Sequence, residues 1–132
     1  MAVTETATDR EAIAAVVQLY IEGASKGDAD RLKEAFHEQA WMFGSISGKR
    51  FDMPITQMID IVTSQPLDSD GGYRARVNSI EQTGDAATAT IEEEGCWGGV
   101  SFVDFFTLAK IDGAWKIVNK TFAHTGGEMP GA

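Results

Sequence analysis

Three side chains in this sequence are of types that do acid–base work on a small organic molecule: Asp104, Tyr20 and His37. Asp104 stands in the run VDFFTL. Strand alternation there puts Phe102, Asp104, Phe106 and Leu108 on one face and Val103, Phe105, Thr107 and Ala109 on the other. Both faces are largely apolar, so both are expected to be covered. A carboxylate on a covered face is costly unless it is paired or neutralised, so Asp104 needs a reason to be there. A neutral carboxylic acid and a phenol can each donate a hydrogen bond to a carbonyl or enolate oxygen. Tyr20 supplies the phenol, and His37 can serve as acid or base near neutral pH. The plainer alternative is that Tyr20 and Asp104 bond each other or the backbone and satisfy a polar spot in the core, with His37 as a capping or surface residue.

Other groups carry weaker signals. His37, Cys96, Asp104 and His124 lack any local metal-ligand spacing, so no metal or other cofactor is expected. Cys96 has no basic neighbour to favour a thiolate and reads as a buried or half-buried thiol. In Glu92-Glu93-Glu94, the outer two share one strand face and Glu93 takes the other. A solvated edge is the simplest reading, and one glutamate at a pocket rim is the sharper one. Of the aromatics, most are core. Trp41, Phe43 and Trp97 are assigned to a cavity wall, with Phe102, Phe106 and the strand residue Asn119 beside them.

These residues must be held by a small set of elements. Thr8 to Glu11 resembles a capping box, and Ile13, Val16, Val17, Tyr20 and Ala24 follow at helical spacing up to Gly27. Asp28 can cap a short second helix over residues 29–38, with Leu32, Ala35 and Phe36 inward and His37 in the last turn. There the helix dipole favours an imidazolium. A strand over 41–46, a turn at Ser47-Gly48-Lys49 and a return at Arg50-Phe51 follow. Asp52 and Pro54 open a third helix that buries Ile55, Met58, Ile59 and Val62 and ends at Pro66. Residues 66–72 read as an exposed loop. Strands are expected over 73–82 and 86–97, then a long hairpin over 100–122. Its turn lies at Asp112-Gly113, with a loop longer than the two-residue minimum. In the return arm Trp115, Ile117, Asn119, Thr121 and Ala123 alternate with Lys116, Val118, Lys120, Phe122 and His124. Helices followed by a meander indicate an α+β domain, with three helices packed on one face of a curved, mostly antiparallel sheet.

The chain of 132 residues fits one domain, with 1–7 and 125–132 as loose tails. Its net charge of −9 argues against nucleic acid or an anionic membrane as partner. No apolar run approaches a membrane span, and the first ten residues do not form a secretory signal. One cysteine allows no intrachain disulfide. A soluble, cytoplasmic protein is the expectation.

The order of elements resembles the nuclear transport factor 2-like (SnoaL-like) superfamily, the cone-shaped fold of ketosteroid isomerases, scytalone dehydratases and SnoaL-like cyclases. The detail is closest to the subgroup labelled putative lumazine-binding. The resemblance runs from about Thr8 to His124, through Tyr20-Ile21-Glu22-Gly23, Gly27-Asp28, Phe36-His37 and Val103-Asp104-Phe105-Phe106-Thr107-Leu108, and on from Lys110 to Lys120. It implies that Tyr20 and Asp104 point into the cone. In the isomerases' register Tyr20 falls on the oxyanion-binding tyrosine and Asp104 on a protonated aspartic acid, a system that is a standard worked case of pKa tuning. The isomerases' catalytic carboxylate falls on Gly44, so steroid isomerase activity is rejected.

The sequence therefore points first to a protein that binds a small molecule in an apolar pocket between helices and sheet. The ligand set is Tyr20, His37, Trp41, Phe43, Trp97, Phe102, Asp104, Phe106 and Asn119. The alternative is an enzyme of the dehydratase, cyclase or isomerase type, with Asp104, Tyr20 and His37 as its catalytic candidates acting on a small cyclic or carbonyl-containing substrate. The second sheet face needs cover, and a homodimer through it is expected.

Overall fold

The computed structural model describes the backbone of residues 2–129 and the side chains of 9–129. Helix α1 (Ala2–Lys26) is followed by α2 (Ala29–Ala35), strands β1 (Phe36–Ile46) and β2 (Lys49–Pro54), and helix α3 (Ile55–Ser64). Four strands complete the chain: β3 (Arg74–Thr83), β4 (Ala86–Cys96), β5 (Val100–Ile111) and β6 (Ala114–Gly126). The six strands form one curved sheet in the order β2-β1-β6-β5-β4-β3, antiparallel except for the β1–β6 pair. The α+β architecture read from the sequence is therefore the one observed, with three helices on a mostly antiparallel sheet.

The helices cover one face because their apolar stripes match it. Ile13, Val17, Tyr20 and Ala24 of α1 are buried, as are Leu32 and Ala35 of α2 and Ile55, Met58, Ile59 and Val62 of α3. Gly23 lets α1 and α2 touch, since a Cβ there would lie 2.8 Å from the Leu32 side chain. Asp28 caps α2 by accepting from the Arg31 N–H at 3.3 Å, as its sequence position suggests.

Several sequence expectations are corrected. Helix α1 begins at Ala2, so Thr8 lies inside it rather than capping it. Helix α2 stops at Ala35, because Phe36 turns extended and pairs with Ile117 of β6. His37 is therefore a strand residue with no helix dipole beneath it. Pro54 holds the N-cap place of α3, while Asp52 belongs to β2 and accepts from the Trp41 indole N–H at 2.6 Å. Leu67 is buried in the loop that reads as exposed, its N–H donating to the Ala24 carbonyl. The turn at Asp112-Gly113 is the two-residue minimum, since Ile111 pairs directly with Ala114. Both turn residues have positive φ, 51° and 83°, the arrangement that fits the twist of a tight hairpin. Strand β6 runs to Gly126, into the stretch expected as a tail.

The outer sheet face is left open by the three helices. Phe105 is 51% exposed, and Phe43 and Trp41 are about 40% exposed. Among the described residues of a single chain nothing covers this face.

Candidate functional site

The inner face of the sheet carries two carboxyls side by side. On β4 the buried residues Ala87, Ala89 and Ile91 lead by simple alternation to Glu93, which is 3% exposed. On β5 the same alternation gives Phe102, Asp104, Phe106 and Leu108, with Asp104 at 0% exposure. Across the ladder Ile91 faces Asp104 and Glu93 faces Phe102, so the two acids lie on a diagonal. Two phenols cover them. The Tyr20 hydroxyl lies 3.2 Å from Asp104 Oδ2 and 3.4 Å from each Glu93 oxygen. The Tyr73 hydroxyl donates to Glu93 Oε2 at 2.6 Å. Edge contacts with Phe36 and Phe106, at ring separations of 5.9 and 5.0 Å, fix the Tyr20 ring.

This environment holds protons tightly. Burial is the largest cause that pushes the Glu93 carboxyl well above the ordinary range, followed by the Asp104 charge and a hydrogen bond that protonated Glu93 donates to the Asp104 side chain. Lys120 and the Tyr73 hydrogen bond pull the other way. Asp104 Oδ1 receives no donor among the described residues unless a proton lies between the two acids. A carboxyl–carboxyl hydrogen bond resolves both facts. Tyr20 and Tyr73 are likewise pushed up, by burial first, then by Asp104 and Glu93 for Tyr20 and chiefly by Glu93 for Tyr73. Both remain hydrogen-bond donors. The Cys96 thiol is raised by burial and by the same acids, so it is no ready nucleophile.

In front of the acids lies a cavity of about 90 Å³. Its walls come from Met42, Ile46 and Phe51 on the β1–β2 side, from Met58 and Val62 of α3, and from Trp97, Phe102, Phe122 and Met129. Into it project Tyr20, Glu93 and Lys120. Lys120 is 7% exposed. Its ammonium sits 3.9 Å from the Met42 sulfur, 5.2 Å above the Tyr20 ring and 5.5 Å above the Phe122 ring.

Lys120 reaches this place through a break in the strand. The β5–β6 register shifts between Thr107 and Leu108: Thr107 faces Asn119 and Leu108 faces Ile117, leaving Val118 without a partner. This bulge switches the inward set from Trp115 and Ile117 to Lys120 and Phe122.

Comparison with known proteins fits this architecture. Residues 8–123 match the model of the family described as Putative lumazine-binding. The chain belongs to that family. It is 30% identical over 117 residues to the aldolase FrzH of Cladobotryum sp., covering 89% of this chain and 92% of that one. A nuclear transport factor 2-like protein of unknown function from Shewanella baltica superposes with a TM-score of 0.81 at 30% identity, over 92% of this chain and 97% of that one. Another, from Methylobacillus flagellatus, gives 0.81 at 33% identity, over 90% and 94%. The nuclear transport factor 2-like superfamily read from the sequence is thus the right one.

Within this family member the expected ligand set divides. Tyr20, Trp97 and Phe102 line the cavity. Asp104 and Phe106 are buried one layer behind it, Asp104 against Tyr20 and Phe106 against the rings of Tyr20 and Phe36. Trp41 and Phe43 are corrected: the β1 alternation buries Ala40 and Met42, so these two point to the outer face. Asn119 is corrected for the same kind of reason, because the bulge at Val118 puts Lys120 inside instead. His37 is also corrected. Its Nδ1 accepts from the Gln39 N–H at 3.1 Å, in a surface groove with Lys33, Ile55 and Ile59 that shares no residue with the cavity. It cannot be the acid or base of this site. His124 binds the carbonyls of Gly126 and Gly127 at 3.0 and 2.6 Å and is a structural tie.

Tyr73 and Lys120 are residues that the sequence reading passes over, while Glu93 enters it only as one of three glutamates, any of which could reach a pocket rim. Glu93 was reachable, since it continues the face of Ala87, Ala89 and Ile91. Lys120 had a fainter signal: Trp115 and Ile117 are out of phase with Phe122, which only a bulge can reconcile.

Proposed function

We propose that this chain binds the carbonyl end of a small organic molecule in the cavity between α3 and the sheet, with Tyr20, Glu93 and Lys120 addressing the oxygen. The observation that supports this is the contrast within the lining. These three residues bring its ionisable and hydroxyl groups together in an otherwise apolar wall. The one other N–H, on Trp97, already donates to the Gln65 carbonyl at 2.8 Å. A few convergent polar groups in an apolar cleft are what a specific small-molecule site needs. The Tyr20 hydroxyl is available, because its contacts of 3.2–3.4 Å to three carboxyl oxygens are long for an O–H donor.

Size limits the ligand. A cavity of about 150 Å³ takes up benzene, so about 90 Å³ suits a carbonyl with a few carbons around it rather than a two-ring compound such as lumazine. Met42, Met58 and Met129 in the wall give it room to adapt.

A catalytic reading is favoured by the 30% identity to a protein named as an aldolase. Chemistry at the carbon beside a carbonyl needs the oxygen polarised and a proton moved, and the acids behind Tyr20 can hold that proton. The test is thermal stabilisation and Trp97 fluorescence with small aldehydes and ketones against hydrocarbons of the same shape. Stabilisation by the carbonyl compounds alone, lost in Tyr20→Phe, is expected. Equal response to both sets, or none, would overturn the reading.

We also propose a homodimer through the outer sheet face. Phe43 and Phe105 flank Thr121 across three neighbouring strands and make an exposed apolar stripe. No described helix is long and apolar enough to cross a membrane. The lone, buried Cys96 supports a cytoplasmic location.

A further inference from the structure

We infer that Lys120 is the covalent nucleophile of this cavity, condensing through its Nζ with an aldehyde or ketone to form an imine. The inference deepens the carbonyl-binding reading and rests on it. Three observations of the fold carry it.

The first is where the amine sits. Lysine is almost never fully buried unless it is paired, yet Lys120 is 7% exposed. The neighbours of its nitrogen are a thioether and two ring faces, with no carboxylate within 4.0 Å among the described residues. Structural lysines of this protein look different: Lys110 reaches Asp9 at 3.0 Å and Lys116 the Glu34 carbonyl at 2.7 Å.

The second is how it gets there. Unbroken alternation from Ile117 would turn Asn119 inward. The bulge at Val118 turns Lys120 inward instead, into the central strand pair of the sheet. Bulges are common where a strand re-aims a side chain beside an active site.

The third is the company it keeps. Tyr20 and Glu93 line the same cavity, so hydroxyl and carboxyl groups stand beside the amine. Imine formation needs such groups. The unprotonated amine attacks the carbonyl carbon, a C–N bond forms, and the carbonyl π electrons move to oxygen. Oxygen takes a proton from the Tyr20–Glu93–Asp104 cluster, and nitrogen returns one to it. A second protonation releases the hydroxyl as water and leaves the C=N bond. Amine, carbonyl and one proton from the cluster thus give a protonated imine plus water, with no change of oxidation state. Loss of a proton from the adjacent carbon then gives an enamine, a carbon nucleophile able to join an aldehyde carbon.

The test uses the intact protein with propionaldehyde or acetone, sodium borohydride as the trapping reductant, and peptide mass mapping. The exposed Lys33 and Lys49 serve as internal references. Reductive labelling of Lys120 roughly tenfold or more faster than of those two is expected, slowed in Tyr20→Phe. Labelling of Lys120 no faster than Lys33 and Lys49 would overturn the inference. If the same compounds still raise the melting temperature in that case, carbonyl binding stands and only the covalent step falls. If they do neither, both readings fall.

Discussion

The ring of Phe122 fills the space that a side chain at position 44 would need: a Cβ built on Gly44 falls 2.3 Å from it. Gly44 faces Phe122 across the parallel β1–β6 pair and lies on the inward set with Met42 and Ile46. Position 44, onto which the resemblance to the isomerases puts their carboxylate, is therefore closed by an aromatic ring. Gly44→Ala should cost about 1–3 kcal/mol through overpacking. Phe122→Ala should recover part of that cost when the two are combined, giving a coupling energy in a double-mutant cycle. Urea unfolding of the four proteins measures it. Additive costs would mean that the ring moves aside freely.

The buried acids predict an unusual pH dependence. Glu93 has a raised value in the folded state, so the folded protein binds its proton more tightly than the unfolded chain does. That contribution is fully present below the unfolded carboxyl value of about 4.3, and is lost as pH rises towards the folded value. Asp9, Asp28 and Glu92 are shifted down and act in the opposite sense. They are common to wild type and Glu93→Gln and cancel in the difference. Glu93→Gln should therefore gain stability relative to wild type as pH is raised from about 5 to about 8. Parallel stability curves for the two proteins would show that Glu93 is ionised in the fold. Gln can still accept from Tyr73, which keeps the comparison conservative.

How much of this was legible in the sequence depends on whether the strands kept their period. Phe102, Asp104, Phe106 and Leu108 share a buried face as alternation requires. The apolar stripes of α1 and α3 also sit where their spacing puts them. His37 was misplaced because a short helix gave way one turn early, when Phe36 gained more by packing on Tyr20 and Phe106 and pairing with Ile117. Trp41 and Phe43 looked like cavity aromatics, but alternation in β1 is set by the smaller Ala40 and by Met42, which are buried. Lys120 was hidden by a single extra residue, Val118, which reverses every face after it. A bulge of this kind depends on the partner strand and leaves little trace in the strand that carries it.

The open stripe on the outer face makes a prediction about association. Phe105 stands 51% exposed in the middle of the sheet, away from the cavity side. Phe105→Lys should convert the proposed dimer to monomer in sedimentation at micromolar concentration. It should leave the thermal response to carbonyl compounds intact, because it touches nothing inside. A wild-type protein that is already monomeric under those conditions would remove the basis for the dimer.

Lys120 also controls the acids behind it. Its charge opposes the rise of Glu93, so Lys120→Met should push the Glu93 carboxyl still higher while filling nearly the same space with an adaptable apolar chain. Titration of side-chain carboxyls by carbon-13 NMR reads this directly, with Glu93 assigned by its loss in Glu93→Gln. The cation–π contacts with Tyr20 and Phe122 would be lost, at a cost of about 0.5–2 kcal/mol. Removing a buried ammonium works in the other direction. Lys120→Met is therefore expected to stay folded with a melting temperature near that of wild type, yet to lose the fast phase of borohydride trapping and keep only the slow labelling of exposed lysines such as Lys33 and Lys49. A large drop in stability would assign Lys120 to the core, as the cation that holds Tyr20 and Phe122 together. An unmoved Glu93 would separate the lysine from the acids and break the proton path on which imine formation depends.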